Sequence, residues 1–191
     1  MDSDFSIELG REDPVLDFPW TDPSGKLAYV DVKRHPELIA KLEEAQSFPE
    51  LAEFLGLVNS ARSPFESAKC DAWPAGELNP GEDIYDASHK FSSYVDLLCS
   101  SPELRRSLDF HETFAAQLAG LLGRAPEMRA SVEICVRRCF FAASQETREG
   151  FYFTIYVNGF GQDEPSAQKN WAIALRLAAN AILQLSTGTA Q

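Results

Sequence analysis

The stretch RASVEICVRRCFFAASQETREGFYFTIYVNGFG, residues 129–161, decides the fold. Both of its ends are dense in β-branched and aromatic residues, the types that suit a pleated surface. In residues 129–142, Val132, Ile134, Val136 and Phe140 share one parity. Glu133, Cys135, Arg137, Cys139 and Phe141 share the other. In residues 150–161, Phe151, Phe153, Ile155 and Val157 alternate with Tyr152, Thr154, Tyr156 and Asn158. Period two predicts two strands, each with an apolar face and a mixed face. The polar ASQETREG between them closes at Gly150 and predicts the loop of a hairpin.

The strand assignment also settles the chemistry of Cys135 and Cys139. On a helix they would be neighbours. On a strand they stand about 13 Å apart, which excludes a mutual disulfide and a shared zinc ion. Either thiol retains a cross-strand option with Cys70 or Cys99, but no C-x-x-C spacing supports a zinc site. Arg138 has the core-side parity and is expected near a sheet edge, while Arg137 lies between the thiols on the mixed face.

Working outward, FESAKCDAW (65–73) and KFSSYVDLLC (90–99) predict two more strands. In the second, Phe91, Val95 and Leu97 oppose Ser92, Tyr94 and Asp96. Lys69, Asp71 and Trp73 join the polar side of the first. Residues 74–89 predict a long loop with a turn at Pro80-Gly81. Helix starts repeat one device. HPEL (35–38), FPEL (48–51) and SPEL (101–104) each place Pro where a first turn needs no N–H donor, and a Glu near the positive end of the dipole. They predict helices over 36–45, 49–60 and 102–123, with a capping box at Ser47 and Glu50. A last helix is expected from Glu164-Pro165 to about Leu185. Its buried face is Trp171, Leu175, Ala178, Ile182 and Leu185.

The expected fold is therefore α+β: an antiparallel sheet of at least four strands with helices on one face, in the order α-α-(β-β-α)-(β-β-α). This order resembles that of type III secretion chaperones in topology, without a shared residue motif. Residues 25–191 are expected to form one domain, and residues 1–24 a separate arm. The arm carries Asp2, Asp4, Glu8, Glu12, Asp13, Asp17 and Asp22 against Arg11 alone, and its three prolines forbid a continuous helix. Leu16, Phe18 and Trp20 alternate, so an extended arm would lie on the domain by one apolar side.

The formal net charge of -12 disfavours nucleic acid and anionic membrane surfaces as partners. The acidic start lacks the apolar core of a signal peptide, and no run approaches the ~20 apolar residues of a membrane span. The expectation is a cytoplasmic protein with free thiols. No nucleophile elbow, H-E-x-x-H, P-loop or dinucleotide fingerprint occurs, so no catalytic residue, metal ligand or cofactor is assigned. His111 lies on the inward stripe of its helix and reads as a core residue. The candidate binding surface is the mixed sheet face: Tyr94, Glu133, Cys135, Arg137, Cys139, Tyr152, Tyr156 and Asn158. Tyr, Trp and Arg are enriched at interfaces. The expected role is an interaction or assembly domain, self-associating or chaperone-like. The alternative is a small-molecule binder or thiol enzyme using Arg137 as anion anchor and Cys135 or Cys139 as nucleophile.

Overall fold

A computed structural model describes residues 1–78, 85–143 and 146–188, without the side chains of Glu77, Ala143 and Thr187. The strands are β1 (Asp2–Glu8), β2 (Val15–Phe18), β3 (Phe65–Glu77), β4 (His89–Cys99), β5 (Ala130–Ala143) and β6 (Glu146–Gly161). A 3-10 helix spans Pro36–Lys41. The α-helices are α1 (Glu43–Ser47), α2 (Pro49–Val58), α3 (Pro102–Arg105), α4 (Leu108–Leu122) and α5 (Glu164–Gly188).

The α+β class holds, but the sheet is mixed and not antiparallel. Its order is β1-β5-β6-β4-β3, with β2 also on the outer edge of β5. β3, β4, β6 and β5 pair antiparallel, whereas β1 and β2 pair parallel to successive halves of β5. The acidic N-terminal segment is thus a strand of the sheet. It satisfies an edge of β5 that would otherwise expose a row of unpaired backbone groups. A local alternation pattern cannot disclose a parallel partner more than a hundred residues away.

One face of the sheet meets the helices. Val132, Ile134, Val136, Phe153, Ile155 and Val157 share a core with Phe54, Leu55, Phe114, Leu118 and Trp171. Each such large side chain contributes about 1.5–3 kcal/mol on burial. α5 comes so close to β6 that a Cβ on Gly159 would strike the backbone of Trp171 and the Ala167 carbonyl. Glycine at this position is a packing requirement. His111 is fully buried, stacks on Phe153 at 4.7 Å and places Nδ1 2.7 Å from the Ser107 carbonyl.

Several local expectations shift. The 102–123 helix divides in two because Ser101 and Ser107 each act as an N-cap, accepting from Leu104 N and Phe110 N. The Ser47–Glu50 capping box does not form, since Phe48 is the cap of α2. The region 36–45 is a 3-10 helix followed by a separate short α-helix. Phe140 keeps its parity but is 37% exposed, because the β5–β6 hairpin runs on past the helices. Residues 146–150 of the expected loop are strand, and Ser144 and Gln145 lie outside the described residues. In the expected 74–89 loop, Pro74–Glu77 and His89 are strand, and residues 79–84, including Pro80-Gly81, lie outside the described residues.

Candidate functional site

Among the described residues no helix lies across the second face of the sheet, which divides into a sealed half, reached by Arg105 of α3, and an open half. The sealing element is a strap. After β2 the chain turns through a cis Phe18–Pro19 bond and leaves the β5 edge. It then reaches β3 at the opposite edge. There Trp20 Nε1 donates to the Ala68 carbonyl at 2.6 Å and Tyr29 OH to Glu66 at 3.1 Å. Lys33 Nζ donates to the carbonyls of Ser60, Ser63 and Phe65. Beneath the strap Leu16, Ala68, Leu98, Cys139, Phe141 and Tyr152 form a small core of their own, flanked by Phe18 and Trp20.

A buried arginine ties this half together. Arg105 sits over the rings of Phe18 (5.3 Å) and Phe141 (4.9 Å). It donates to the Cys99 carbonyl and to Glu66 Oε1, at 2.5 Å for the latter. Gly150 makes room for it: a Cβ there would lie 2.8 Å from the Arg105 carbonyl and 2.9 Å from the Phe141 ring.

Strand register lays out the rest of the face as rows. The first runs Ser6, Cys135, Thr154, Asp96 and Lys69. It is the floor of a polar relay. Arg137, from the neighbouring row, donates Nε to Glu8 Oε2 at 2.7 Å and Nη1 to Thr154 Oγ1 at 3.0 Å and to Tyr156 OH at 3.1 Å. Thr154 Oγ1 in turn donates to Asp96 Oδ1 at 2.7 Å. Burial pushes Asp96 up to about 6, against the opposing pull of Thr154, Lys69 and Arg137. Burial also raises Glu8, but the bond and charge of Arg137 outweigh it and hold Glu8 below its usual value.

The next two rows are open. One runs Asp4, Glu133, Tyr156, Tyr94 and Asp71; the other runs Asp2, Ser131, Asn158, Ser92 and Trp73. Across them Trp73, Tyr94 and Tyr156 form a line of rings with centroids 6.3 and 6.2 Å apart. The Arg137 guanidinium extends that line, 5.5 Å from the Tyr156 ring. Ser92 donates to Asn158 at 2.8 Å and Asn158 to Ser131 at 3.2 Å, which fixes the orientation of the amide.

The eight residues singled out from the sequence therefore fall in different places. Tyr94, Glu133, Tyr156 and Asn158 stand on the open rows. Cys135 and Arg137 lie in the buried relay, and Cys139 and Tyr152 lie under the strap. Burial pushes Cys135 up to about 11 and Cys139 up to about 12, so Arg137 does not generate a thiolate at either. All four cysteines are free. A cysteine–histidine contact does exist, Cys99 Sγ to His111 Nε2 at 3.8 Å, but inside the core. Burial drives that thiol up to about 12 and that imidazole down to about 4. Glu8, Glu133 and Cys135 bring three ligand atoms within 4.8 Å, yet Glu8 is already engaged by the Arg137 cation.

Asp96 and Trp73 join the face without being among those eight residues. Asp96 carried a signal, a lone acid inside the apolar run YVDLLC. Glu8, Arg105 and Glu66 carried none, because their partners are remote in the chain. A cleft of about 570 Å³ follows the outer edge of β3, walled by Trp20, Leu27, Val30, Leu42, Lys69 and Asp71 among others. Among the described residues no helix is long and apolar enough to cross a membrane. Comparison of the chain with protein families, with curated proteins and with solved structures gives no match.

Proposed function

We propose that this chain is a non-catalytic interaction module that docks a partner protein on the open half of its second sheet face. One observation carries the reading: the Trp73–Tyr94–Tyr156 line lies outside the small core that the strap seals, with Tyr94 reaching the β3-edge cleft and Trp73 exposed. Aromatic side chains offer large contact area at low entropic cost, and interfaces concentrate them for that reason. The relay beneath holds Tyr156 by its hydroxyl, so the platform is preorganised. A thiol enzyme draws no support from cysteines whose burial favours the neutral thiol. Face-to-face self-association is disfavoured, because it would set exposed carboxylates of the open rows against their own copies.

The test is site-specific photo-crosslinking in cells that make the full chain. A benzoylphenylalanine replacing Trp73 should trap a discrete adduct. The same group replacing Ile173, exposed on α5, should not. Identical adducts from both positions, or none from position 73, would remove the reading.

A second reading rests on the β3-edge cleft, whose volume falls within the range of small-molecule sites. A ligand there would quench Trp20 and leave Trp73 untouched.

A further inference from the structure

Resting on that interaction reading, we infer that the partner presents an extended basic segment, with Arg or Lys side chains spaced to meet carboxylates at both ends of the aromatic line. The two open rows contain four carboxylates, Asp2, Asp4, Asp71 and Glu133, and no Lys or Arg. All four residues are exposed, and none is in an ion pair among the described residues. Three accept one hydrogen bond from their surroundings: Asp4 from Phe5 N, Asp71 from Ala72 N and Asp2 from Tyr85 OH. None of these neutralises the charge.

Of the cations in the bordering rows, Arg129 is exposed two residues before Ser131, and the other three are engaged. Lys69 lies over the Trp20 ring at 4.9 Å, Lys90 over Phe160 at 5.9 Å, and Arg137 is held by Glu8, Thr154 and Tyr156. The two rows themselves therefore carry only negative charge, set around ring faces that are themselves electronegative. Both features select cations, the rings through cation–π attraction.

Spacing narrows the ligand. Asp71 on β3 and Glu133 on β5 are three strand intervals apart, about 14 Å. An extended chain covers that distance in about four residues. A segment lying across the strands can place one cation at each end while its aliphatic stems cover Tyr94 and Tyr156. Phosphate-bearing partners meet the wrong sign of charge, and so does a second copy of this acidic chain in face-to-face symmetry.

The probe is a fluorescein-labelled nona-arginine peptide, titrated with the full chain and read by fluorescence anisotropy. Asp4→Asn/Asp71→Asn/Glu133→Gln should weaken binding about tenfold, as expected for three exposed charges acting together. Glu12→Gln/Asp109→Asn/Glu112→Gln removes the same charge elsewhere on the surface and should stay within about twofold of wild type. Trp73→Ala, which leaves the charge intact, should also weaken binding. Added salt should weaken wild type more than the first triple variant. Circular dichroism verifies that each variant is folded, and the single variant Glu133→Lys gives a second route to the same loss. Equal losses in the two triple variants, or no binding of nona-arginine to wild type, would overturn the inference. A crosslink from position 73 that persists alongside either result would leave the interaction reading standing and remove only the basic partner.

Discussion

Replacing Asp96 by Asn should remove a pH dependence that the relay imposes on stability. Asp96 is 6% exposed and its carboxyl sits at about 6, against 3.8 for an ordinary aspartate. Desolvation is the dominant cause; the Thr154 bond and the charges of Lys69 and Arg137 pull the other way without cancelling it. Below about pH 4 the folded and unfolded chains both hold this proton, and above about pH 6 to 7 neither does. Between those limits the native state holds it longer. The stabilising contribution is therefore fully present at low pH and is lost as pH rises through about 6. The displacement is roughly two pH units, and at about 1.36 kcal/mol each it amounts to about 3 kcal/mol. Asn keeps an oxygen to accept from Thr154 and carries no charge. The assay is urea unfolding at about pH 4, 5, 6 and 7, with the wild-type free energy subtracted from that of the variant. The difference should climb by about 2–3 kcal/mol toward neutral pH, because other titrating groups cancel in the subtraction. A flat difference would refute the reasoning. It would mean that water reaches Asp96 and that the relay is not dry.

The remaining predictions concern the core and the strap. His111 is depressed to about 4, so the unfolded chain takes up its proton first as pH falls from about 6.5; His111→Phe should abolish about 3 kcal/mol of the acid loss in stability, read from the same unfolding series. Gly150→Ala should cost about 1–3 kcal/mol, because the new methyl meets Arg105 and Phe141, whereas Gly56→Ala on the open side of α2 should gain about 0.5–1 kcal/mol. Arg105→Met should cost about 3 kcal/mol by leaving Glu66 largely buried without its cation, seen as a lower urea midpoint with an unchanged slope.

The sequence disclosed the hairpin at 129–161 and the two strands before it because period two is a local property. Val132 to Val136 and Phe153 to Val157 announced one face, and the Tyr residues the other. The helix starts were legible for the same reason, since Pro and Glu act within one turn. What stayed hidden was everything set by distant pairing. Asp2 to Glu8 has no strong strand signature, and only the register Glu8↔Arg137 places it at the edge of β5. That parallel edge makes the sheet mixed. It also brings Asp2 and Asp4 onto the face already occupied by Tyr156 and Glu133. Alternation likewise presents the mixed face as one surface, although Cys139 and Tyr152 belong under the strap. The alternation of Leu16, Phe18 and Trp20 pointed to an apolar contact, but not to which half of the sheet it would close.

The division of that face into a sealed and an open half is the claim on which the functional reading rests. Hydroxyl-radical footprinting of the free, full-length protein, read by mass spectrometry, tests it at individual side chains. Trp73, 37% exposed, and Tyr156 should oxidise readily, while Tyr152 (3%), Phe141 (4%) and the fully buried Trp171 stay protected. Comparable oxidation of Tyr152 and Tyr156, or protection of Trp73 to the level of Trp171, would contradict the account.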